Sequence, residues 1–334
     1  MILDGQLPSS IAAAARTLQR GELVGLPTET VYGLAADAGN DVAVAKIFEA
    51  KGRPANHPLI VHVASAHEVT RFVSAVPDFA QRLMAAFWPG PLTLILPRRP
   101  EVAAAAAGGQ NSVGVRCPSH VTAHAVLHAA QALGVYGVAA PSANLFGRVS
   151  PTTAAHVACE FGEGLLIIDG GACEVGIEST IVDCTRGEPI LLRPGVLTAE
   201  QLSQACGMTV ITPTKPQADA PRASGTLDSH YAPHATVRLM TAVQMQQALA
   251  NAPVARERVA VWARRPVHVP TTWATQLTCH AMSADPRQCA HDLFAQLRDF
   301  DAQGITQIWV ETPPEGVDWD GVRDRLTRAA TPAG

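Results

Sequence analysis

The apolar residues of this chain lie in short runs separated by stretches with helical spacing. Short apolar runs bounded by turn residues are typical of buried strands. The sequence predicts such strands at ELVGL (22–26), LIVHVA (59–64), the end of WPGPLTLILP (88–97), SVGVR (112–116), YGVAAP (136–141), LLIID (165–169), STIVD (179–183) and PILLR (189–193). Because helices fall between some of these strands but not between all, the pattern predicts an α/β fold with a mixed sheet rather than a doubly wound one.

The predicted helices have recognisable ends. Ser9 or Ser10 can cap the first helix, and Asp285 can cap a helix through QCAHDLFAQLRDF (288–300). A second helix can start at Asn40 or Asp41 and end at Gly52, since glycine accepts the left-handed backbone that closes a helix.

The pattern breaks once, over residues 212–235, where hydrophobic density falls. Four prolines interrupt this stretch: Pro213, Pro216, Pro221 and Pro233. Strand and helix signals then resume and alternate to the end of the chain. The sequence therefore predicts a first domain over 1–211, a linker over 212–235 and a small Rossmann-like α/β domain over 236–334. That last domain has no G-x-G-x-x-G, so dinucleotide binding is not expected.

Composition excludes several classes of protein. The chain is 47% hydrophobic, too much for a disordered protein, and its formal charge of −4 argues against a strongly basic nucleic-acid-binding surface. Its seven cysteines include no C-x-x-C pair, which argues against a disulfide framework or zinc ribbon and predicts a cytoplasmic location. No signal peptide or membrane-spanning run is recognised.

Two cations carry the strongest local signal for chemistry. Lys51 and Arg53 follow a predicted helix and precede a buried strand, so in an extended loop both side chains can face one anion. The alternative is that they stabilise the carboxyl end of that helix. The spacing alone leaves both interpretations open.

Other candidates are small polar groups or single arginines at strand ends, where α/β sheets usually bind ligands. They are Thr28, Thr30, Arg116, Ser142, Asn144, Ser179, Thr180 and Arg193. No histidine–nucleophile pairing is evident, so covalent catalysis is not expected. The set is typical of a site that binds a polyanion and a small polar substrate and acts by positioning and charge neutralisation.

Three histidines, His120, His124 and His128, are spaced four apart on one predicted helix and could recruit a metal ion. No acidic or cysteine partner follows at a matching spacing. We favour a solvated or packed helix face and expect no protein metal site.

Eight motifs occur in one order along the chain. They are PTETVYGLAADA, the K-x-R of Lys51–Arg53, HPLIVH, WPGPLT, VGVRCP, APSAN, GGACEVGIEST and LLRPG. In their order and approximate spacing they resemble the YrdC-like family. The SHYAP segment followed by a small α/β domain is similar to the long, two-domain form of that family, and the resemblance covers residues 9–330.

The resemblance implies an α/β twisted sheet with a concave cleft. It also implies an enzyme that combines L-threonine, bicarbonate and ATP into threonylcarbamoyl-AMP and pyrophosphate. Partner proteins would then transfer the threonylcarbamoyl group to the adenosine beside the tRNA anticodon. Mg²⁺ is expected with ATP, and direct contact with tRNA is expected to be weak.

Site residues follow from the same resemblance, motif by motif. ATP contacts are implied for Arg53, His57, Ser112, Ser142, Asn144, Ser150, Arg193 and Tyr231. Threonine contacts are implied for Thr30, His62, Arg116, Ala140 and Ser179. Among these, Arg53 and His62, together with Lys51, are the expected catalytic residues, and Tyr231 is expected to close over the cleft as a lid.

Two positions depart from the family pattern. The asparagine usual before Pro-Leu is His57 here, with Asn56 one position earlier, and either could contact ATP. The usual Pro-Gly before the lid reads Ser224-Gly225.

Two other functions stay open. One is a tRNA- or double-stranded-RNA-binding protein without catalysis, which the net charge and the 5% aromatic content disfavour. The other is a carbamoyl-transfer enzyme, which the SHYAP segment disfavours.

Overall fold

The structure is a computed structural model that describes residues 1–213, 220–251, 257–273 and 275–332. The chain forms two compact units. The first comprises Met1–Phe146 and Ser150–Thr226, and the second comprises Gly147–Val149 and Leu227–Gly334.

The predicted linker, 212–235, falls into three parts. Residues 212–213 and 220–226 belong to the first unit and 227–235 to the second, whereas 214–219 lie outside the described residues.

The first unit is built on one mixed sheet. Its strands are β1 (Ile2–Asp4), β2 (Val24–Leu26), β3 (Gly33–Asp37), β4 (Ile60–His62), β5 (Leu92–Pro97), β6 (Ser112–Arg116), β7 (Val138–Ala139), β8 (Leu166–Asp169), β9 (Thr180–Asp183) and β10 (Ile190–Arg193). Their order across the sheet is β1-β8-β2-β3-β7-β4-β6-β5-β9-β10. β4 and β6 are parallel, while β7 and β5 on either side of them are antiparallel. The predicted mixed α/β sheet is thus confirmed.

Helices cover this sheet and bury apolar side chains against it. They are α1 (Pro8–Gln19), α2 (Asp41–Lys51), α3 (Asp78–Phe87), α4 (Val121–Gln131), α5 (Ala154–Phe161) and α6 (Ala199–Cys206). Ile47 of α2, Leu83 of α3 and Val115 of β6 belong to the same fully buried core. Burial of this kind is the main force that holds the sheet in place.

The second helix, α2, begins and ends as predicted. The Asn40 side-chain oxygen accepts hydrogen bonds from the amides of Val42 and Ala43, and Gly52 closes the helix with a φ of +61°. A residue with a side chain is strained at that φ, so glycine allows the sharp turn between Lys51 and Arg53.

The predicted cap of α1 is wrong. The helix begins at Pro8, which places Ser9 and Ser10 inside the first turn, and Leu7 precedes the helix without a side-chain cap. Proline suits this position because its φ is already helical and its missing N–H is not needed there.

The second unit holds a four-stranded parallel sheet, which agrees with the predicted Rossmann-like domain. Its strands are β11 (Thr236–Met240), β12 (Val259–Ala263), β13 (Leu277–Ala281) and β14 (Gln307–Glu311), in the order β11-β14-β12-β13. Its helices are α7 (Ala242–Leu249), α8 (Pro286–Ala302) and α9 (Asp320–Ala330). Asp285 caps α8 as expected, by accepting from the amide of Arg287.

Three further elements have no counterpart in the sequence prediction: β1, β3 and α5. Their residues are mostly small or sit at the very start of the chain, so their apolar signal is weak. Within the described ranges, no helix combines the length and the apolar character that crossing a bilayer requires.

Candidate active site

Arg116, the last residue of β6, is buried at the centre of a polar group. Its Nη1 donates to Thr30 Oγ1 at 2.8 Å, and its Nε donates to the carbonyl of Gly90 at 3.2 Å. Thr30 in turn lies 2.9 Å from the hydroxyl of Thr28. The structure therefore brings together two residues expected to contact threonine.

Glu29 lies beside this guanidinium, and the sequence analysis did not single it out. Its Oε1 is 2.6 Å from Arg116 Nη2, and both side chains are almost fully buried. The available signal was an acid between two threonines directly after an apolar strand, which also fits a surface turn. We call Glu29, Thr30, His62 and Arg116 the Arg116 cluster.

His62 ends β4 and pairs with Arg116 across the parallel strands. Its Nδ1 lies 3.2 Å from the carbonyl oxygen of Ile60. Since a carbonyl only accepts, we assign the proton to Nδ1, which leaves Nε2 as an acceptor. Burial, reinforced by Arg116, lowers the pKa of His62 to about 3. The imidazole is therefore neutral at physiological pH.

Lys51 ends α2, and its ammonium group turns away from its own helix. Its Nζ donates to the carbonyl of Ser142 at 2.7 Å and to the carbonyl of Asn144. Burial, and then the positive charge of Arg53, lower the pKa of Lys51 well below its usual value. These contacts join Lys51 to the APSAN motif, and its role in ligand binding stays a prediction.

Ser224 connects two arginines expected to contact ATP. Its hydroxyl donates to the carbonyl of Pro58 at 2.6 Å and accepts from Arg53 Nη2 at 3.3 Å. Its own carbonyl accepts from Arg193 Nη1 at 2.8 Å. Arg53 Nη2 also donates to the Pro58 carbonyl at 3.0 Å. A residue near the end of the first unit thus holds side chains from distant parts of the sequence.

Arg193 extends this group to Ser179. The guanidinium donates to the Ser179 carbonyl from Nε at 3.1 Å and from Nη2 at 2.9 Å. The Ser179 hydroxyl lies 2.7 Å from that of Thr93 and accepts from Arg193 Nη2 at 3.2 Å. We call Arg53, Pro58, Ser179, Arg193 and Ser224 the Ser224 cluster. Ser179, expected to contact threonine, therefore touches an arginine expected to contact ATP.

His57 lies near the same arginines. Its ring is 5.4 Å from the ring of Phe146, which also lies 5.7 Å from the Arg53 guanidinium. Burial, followed by Arg53 and Arg222, lowers the pKa of His57. Neighbouring cations of this kind favour an anionic ligand. Asn56, the alternative at this point, is exposed.

Other predicted residues lie in the first unit but in different local settings. Ser112 starts β6 and Arg116 ends it, so the two lie one strand length apart, roughly 13 Å. The amide of Ala140 donates to the Ile60 carbonyl at 3.0 Å. The Ser150 hydroxyl donates to Glu178, directly before Ser179.

Tyr231 belongs to the second unit, where it is buried. Its ring lies 5.3 Å from Phe294 and 5.4 Å from the Arg325 guanidinium. Its φ of +62° is uncommon for a bulky residue. The lid role of Tyr231 stays a prediction.

The three-histidine face is not arranged as predicted. His120 precedes α4 and caps it by accepting from the amide of Thr122, so it is not part of the helix. Only His124 and His128 share the helix, with ring centroids 6.0 Å apart.

Two family models match the chain. One, for Sua5, YciO and YrdC proteins, is described as "Telomere recombination" and matches residues 16–195. The other is described as "Threonylcarbamoyl-AMP synthase, C-terminal domain" and matches residues 197–331. The chain belongs to the Sua5/YrdC family. Both models together give the long, two-domain form, which confirms the resemblance recognised in the sequence.

Curated relatives in the Sua5/YrdC family carry the name threonylcarbamoyl-AMP synthase. The protein of Bacillus subtilis is 37% identical over 96% of this chain and 92% of its own length. The protein of Pyrococcus abyssi is 45% identical over 68% of this chain and 66% of its own length.

Solved structures give the same fold. Pyrococcus abyssi Sua5 in complex with L-threonine matches with a TM-score of 0.87 and 35% identity, covering 97% of this chain and 95% of that one. A double variant of the same protein matches with a TM-score of 0.89 and 34% identity, covering 99% and 96%. The expected YrdC-like sheet followed by a small α/β domain is confirmed.

Proposed function

We propose that this protein is a nucleotidyltransferase that joins L-threonine, bicarbonate and ATP into threonylcarbamoyl-AMP and releases pyrophosphate. The alignment with a curated synthase over 96% of the chain carries this proposal. The contacts in the first unit agree with it, because residues expected for each substrate are buried in polar clusters, and Ser179, expected to contact threonine, accepts hydrogen bonds from Arg193, expected to contact ATP.

The Arg116 cluster would hold threonine. A guanidinium suits a carboxylate because it offers parallel N–H donors. The neutral imidazole of His62 would accept from the substrate at Nε2, and Ala140 and Ser179 would complete the pocket. A protonated His62 imidazole would instead be repelled by the Arg116 guanidinium, which agrees with the low pKa of His62.

The Ser224 cluster and Lys51 would hold ATP. The phosphates bring several negative charges, and Lys51, Arg53 and Arg193 are buried cations that can offset them. His57, Ser112, Ser142, Asn144 and Ser150 are the further ATP contacts that we propose. Asn56 and His57 are the two candidates for the ATP contact where the sequence departs from the family pattern. We propose His57, because its ring and the Arg53 guanidinium both lie near the ring of Phe146.

The chemistry requires positioning more than covalent catalysis. The threonine amine, after its ammonium proton has passed to solvent, attacks the carbon of CO₂ derived from bicarbonate and forms a carbamate as a further N–H proton is lost to solvent. Direct attack on bicarbonate gives the same carbamate with loss of water. A carbamate oxygen then attacks the α-phosphorus of ATP, and pyrophosphate leaves from the opposite side. Fixed cations around the phosphates stabilise the charge that develops in this step.

Mg²⁺ is proposed as a companion of ATP and not as a resident metal. In the part of the chain that the structure describes, no three His, Cys, Asp or Glu side chains are grouped to hold a metal ion. Magnesium commonly binds through substrate phosphates and water. No step above depends on it.

The product would pass to other proteins. A mixed anhydride of a carbamate and a phosphate is labile in water, so a transfer system must consume it. We propose that this system moves the threonylcarbamoyl group to the adenosine beside the tRNA anticodon, with at most weak tRNA contact by this chain. We place the reaction in the cytoplasm, as the cysteine spacing favours.

The test is threonine-dependent pyrophosphate release by the purified protein with ATP, Mg²⁺ and bicarbonate. L-serine serves as the control substrate, and omission of the amino acid gives the background. Strong release with threonine alone is the expected result. A folded protein that binds ATP but releases no pyrophosphate would contradict the proposal, and RNA binding with a steep salt dependence would then favour the non-catalytic alternative.

A further inference from the structure

Glu29 is a buried acid whose carboxylate has an unusual hydrogen-bonding environment. It is 3% exposed, and neither carboxylate oxygen accepts a hydrogen bond from any residue within the described ranges. Buried polar groups in native proteins nearly always have hydrogen-bond partners, and a carboxylate without them is costly. A ligand that donates hydrogen bonds would remove this cost.

Arg116 is the one cation paired with Glu29 among the described ion pairs, and the pairing is incomplete. Nη2 lies 2.6 Å from Glu29 Oε1 yet forms no hydrogen bond with the described residues. The other two nitrogens hold the guanidinium in place through Thr30 and Gly90. The pair is therefore electrically neutral, adjacent and fixed, with donor capacity remaining on Arg116 and acceptor capacity remaining on Glu29.

The surroundings of Glu29 favour a cation over an anion. The residue lines a cavity of about 660 Å³ that also exposes the acids Asp4, Asp169 and Glu174. Their negative field draws positive charge into this cavity. The opposite partner, Arg116, favours negative charge.

We infer that Glu29 binds the α-ammonium group of threonine while Arg116 binds its α-carboxylate. The inference rests on the proposed function. The two charges of an amino acid are attached to one carbon, so their receptors must be neighbours, as Glu29 and Arg116 are. A neutral pair also receives a net-neutral zwitterion without burying a net charge, which is the condition under which charged groups can be buried at moderate cost. Glu29 thereby selects an amino acid over a hydroxy acid.

The experiment measures binding by calorimetry with three ligands: L-threonine, 3-hydroxybutyrate, which lacks the amine, and L-threoninamide, which lacks the carboxylate charge. For the unaltered protein we expect threonine to bind roughly 30-fold or more tightly than either analogue. Glu29→Gln should weaken threonine binding and reduce the preference over 3-hydroxybutyrate to roughly threefold or less. Its preference over threoninamide should survive.

Two controls separate a binding role from general damage. Glu174→Gln removes an exposed acid that lines the same cavity, and it should leave both preferences unchanged. ATP binding by Glu29→Gln should also be unchanged. If Glu29→Gln does not fold, Glu29→Asp replaces it, and the shortened carboxylate should lower the preference for the amine to a smaller extent.

The outcomes distinguish this inference from the proposed function. If the unaltered protein does not bind threonine, the proposed function fails. If it binds threonine and the preference over 3-hydroxybutyrate is unchanged in whichever Glu29 variant folds, the assignment of Glu29 to the ammonium group is overturned while the proposed function stands.

Discussion

The Arg116 cluster and the Ser224 cluster both bury arginines in the first unit, but they hold them differently. Arg116 faces a carboxylate that cancels its charge. The hydrogen bonds from Arg53 and Arg193 to Pro58, Ser179 and Ser224 go to carbonyl and hydroxyl oxygens, which orient the two guanidinium groups. Lys51 follows the second mode, with two carbonyl acceptors.

This difference matches the two proposed substrates. A zwitterion has no net charge and needs a neutral receptor with two poles. A triphosphate has a large negative charge and needs several positive charges held in fixed positions. The group that contacts a buried cation is therefore as informative about the charge of the ligand as the cation itself.

The largest effects should come from removing one arginine of each cluster. Arg193→Ala should lower kcat/KM for ATP, and Arg116→Ala should lower kcat/KM for threonine, each by on the order of 100-fold, because a preorganised charge is lost. Steady-state pyrophosphate release with each substrate varied in turn measures both. If the two variants affect the same substrate, the division into two clusters is wrong. Arg116→Lys should not restore threonine use, since lysine cannot offer a planar pair of donors.

A second effect concerns the protonation of Lys51. Its lowered pKa in the free protein should rise when phosphates bind, so ATP binding should take up protons at pH values between the free and bound pKa. Calorimetry in buffers of different ionisation enthalpy measures this uptake. Lys51→Met should abolish it, whereas Lys46→Met, which changes a lysine paired with Glu22 at the surface, should not. Equal uptake in both variants would exclude Lys51 as its source.

A smaller effect is expected at Ser224. Ser224→Ala removes the hydroxyl that bridges Arg53 and the Pro58 carbonyl, and it should raise KM for ATP roughly tenfold while leaving KM for threonine unchanged. Ser74→Ala is a matched control, because that hydroxyl also donates to a proline carbonyl but at an exposed position. An unchanged KM for ATP would contradict a role of the Ser224 hydroxyl in orienting Arg53.

The smallest effect is on stability in acid. His62 has a pKa of about 3 in the folded protein and about 6.5 when unfolded, so below pH 6.5 the unfolded state gains a proton that the folded state does not. Stability must fall as pH decreases through this window. His62→Gln should reduce the loss between pH 7 and 5 by about 2 kcal/mol, measured by urea unfolding. The exposed His128→Gln should leave it unchanged, and a similar slope in both variants would contradict the burial argument.

Much of the fold was predictable because its signals are local. Asn40, Gly52 and Asp285 mark helix ends through backbone chemistry that acts within a few residues. The mixed sheet followed from the irregular spacing of short apolar runs. The cap of α1 was misjudged because Pro8 and the serines compete for the same turn, and the sequence does not show which residue occupies the first position.

The site was predictable residue by residue but not as a set of contacts. Lys51, Arg53, Arg116 and Arg193 follow from motifs. The contacts of Ser224 could not be predicted from a motif, because its hydrogen bond to the Pro58 carbonyl joins residues 166 positions apart in the sequence. Glu29 was missed because an acid in a turn is ordinary, and only its burial beside Arg116 makes it unusual.

One further feature bears on how this chain can be divided. Residues Gly147–Val149 belong to the second unit although the chain on both sides of them belongs to the first. They are tied there by the amide of Ala232, which donates to the Gly147 carbonyl, and by Arg298, which donates to the Val149 carbonyl. A protein that ends at Thr226 would therefore lack Ala232 and Arg298, which donate hydrogen bonds to the carbonyls of Gly147 and Val149. For protein engineering, the chain passes between the two units at three points, after Phe146, Val149 and Thr226, so a single cut does not separate them.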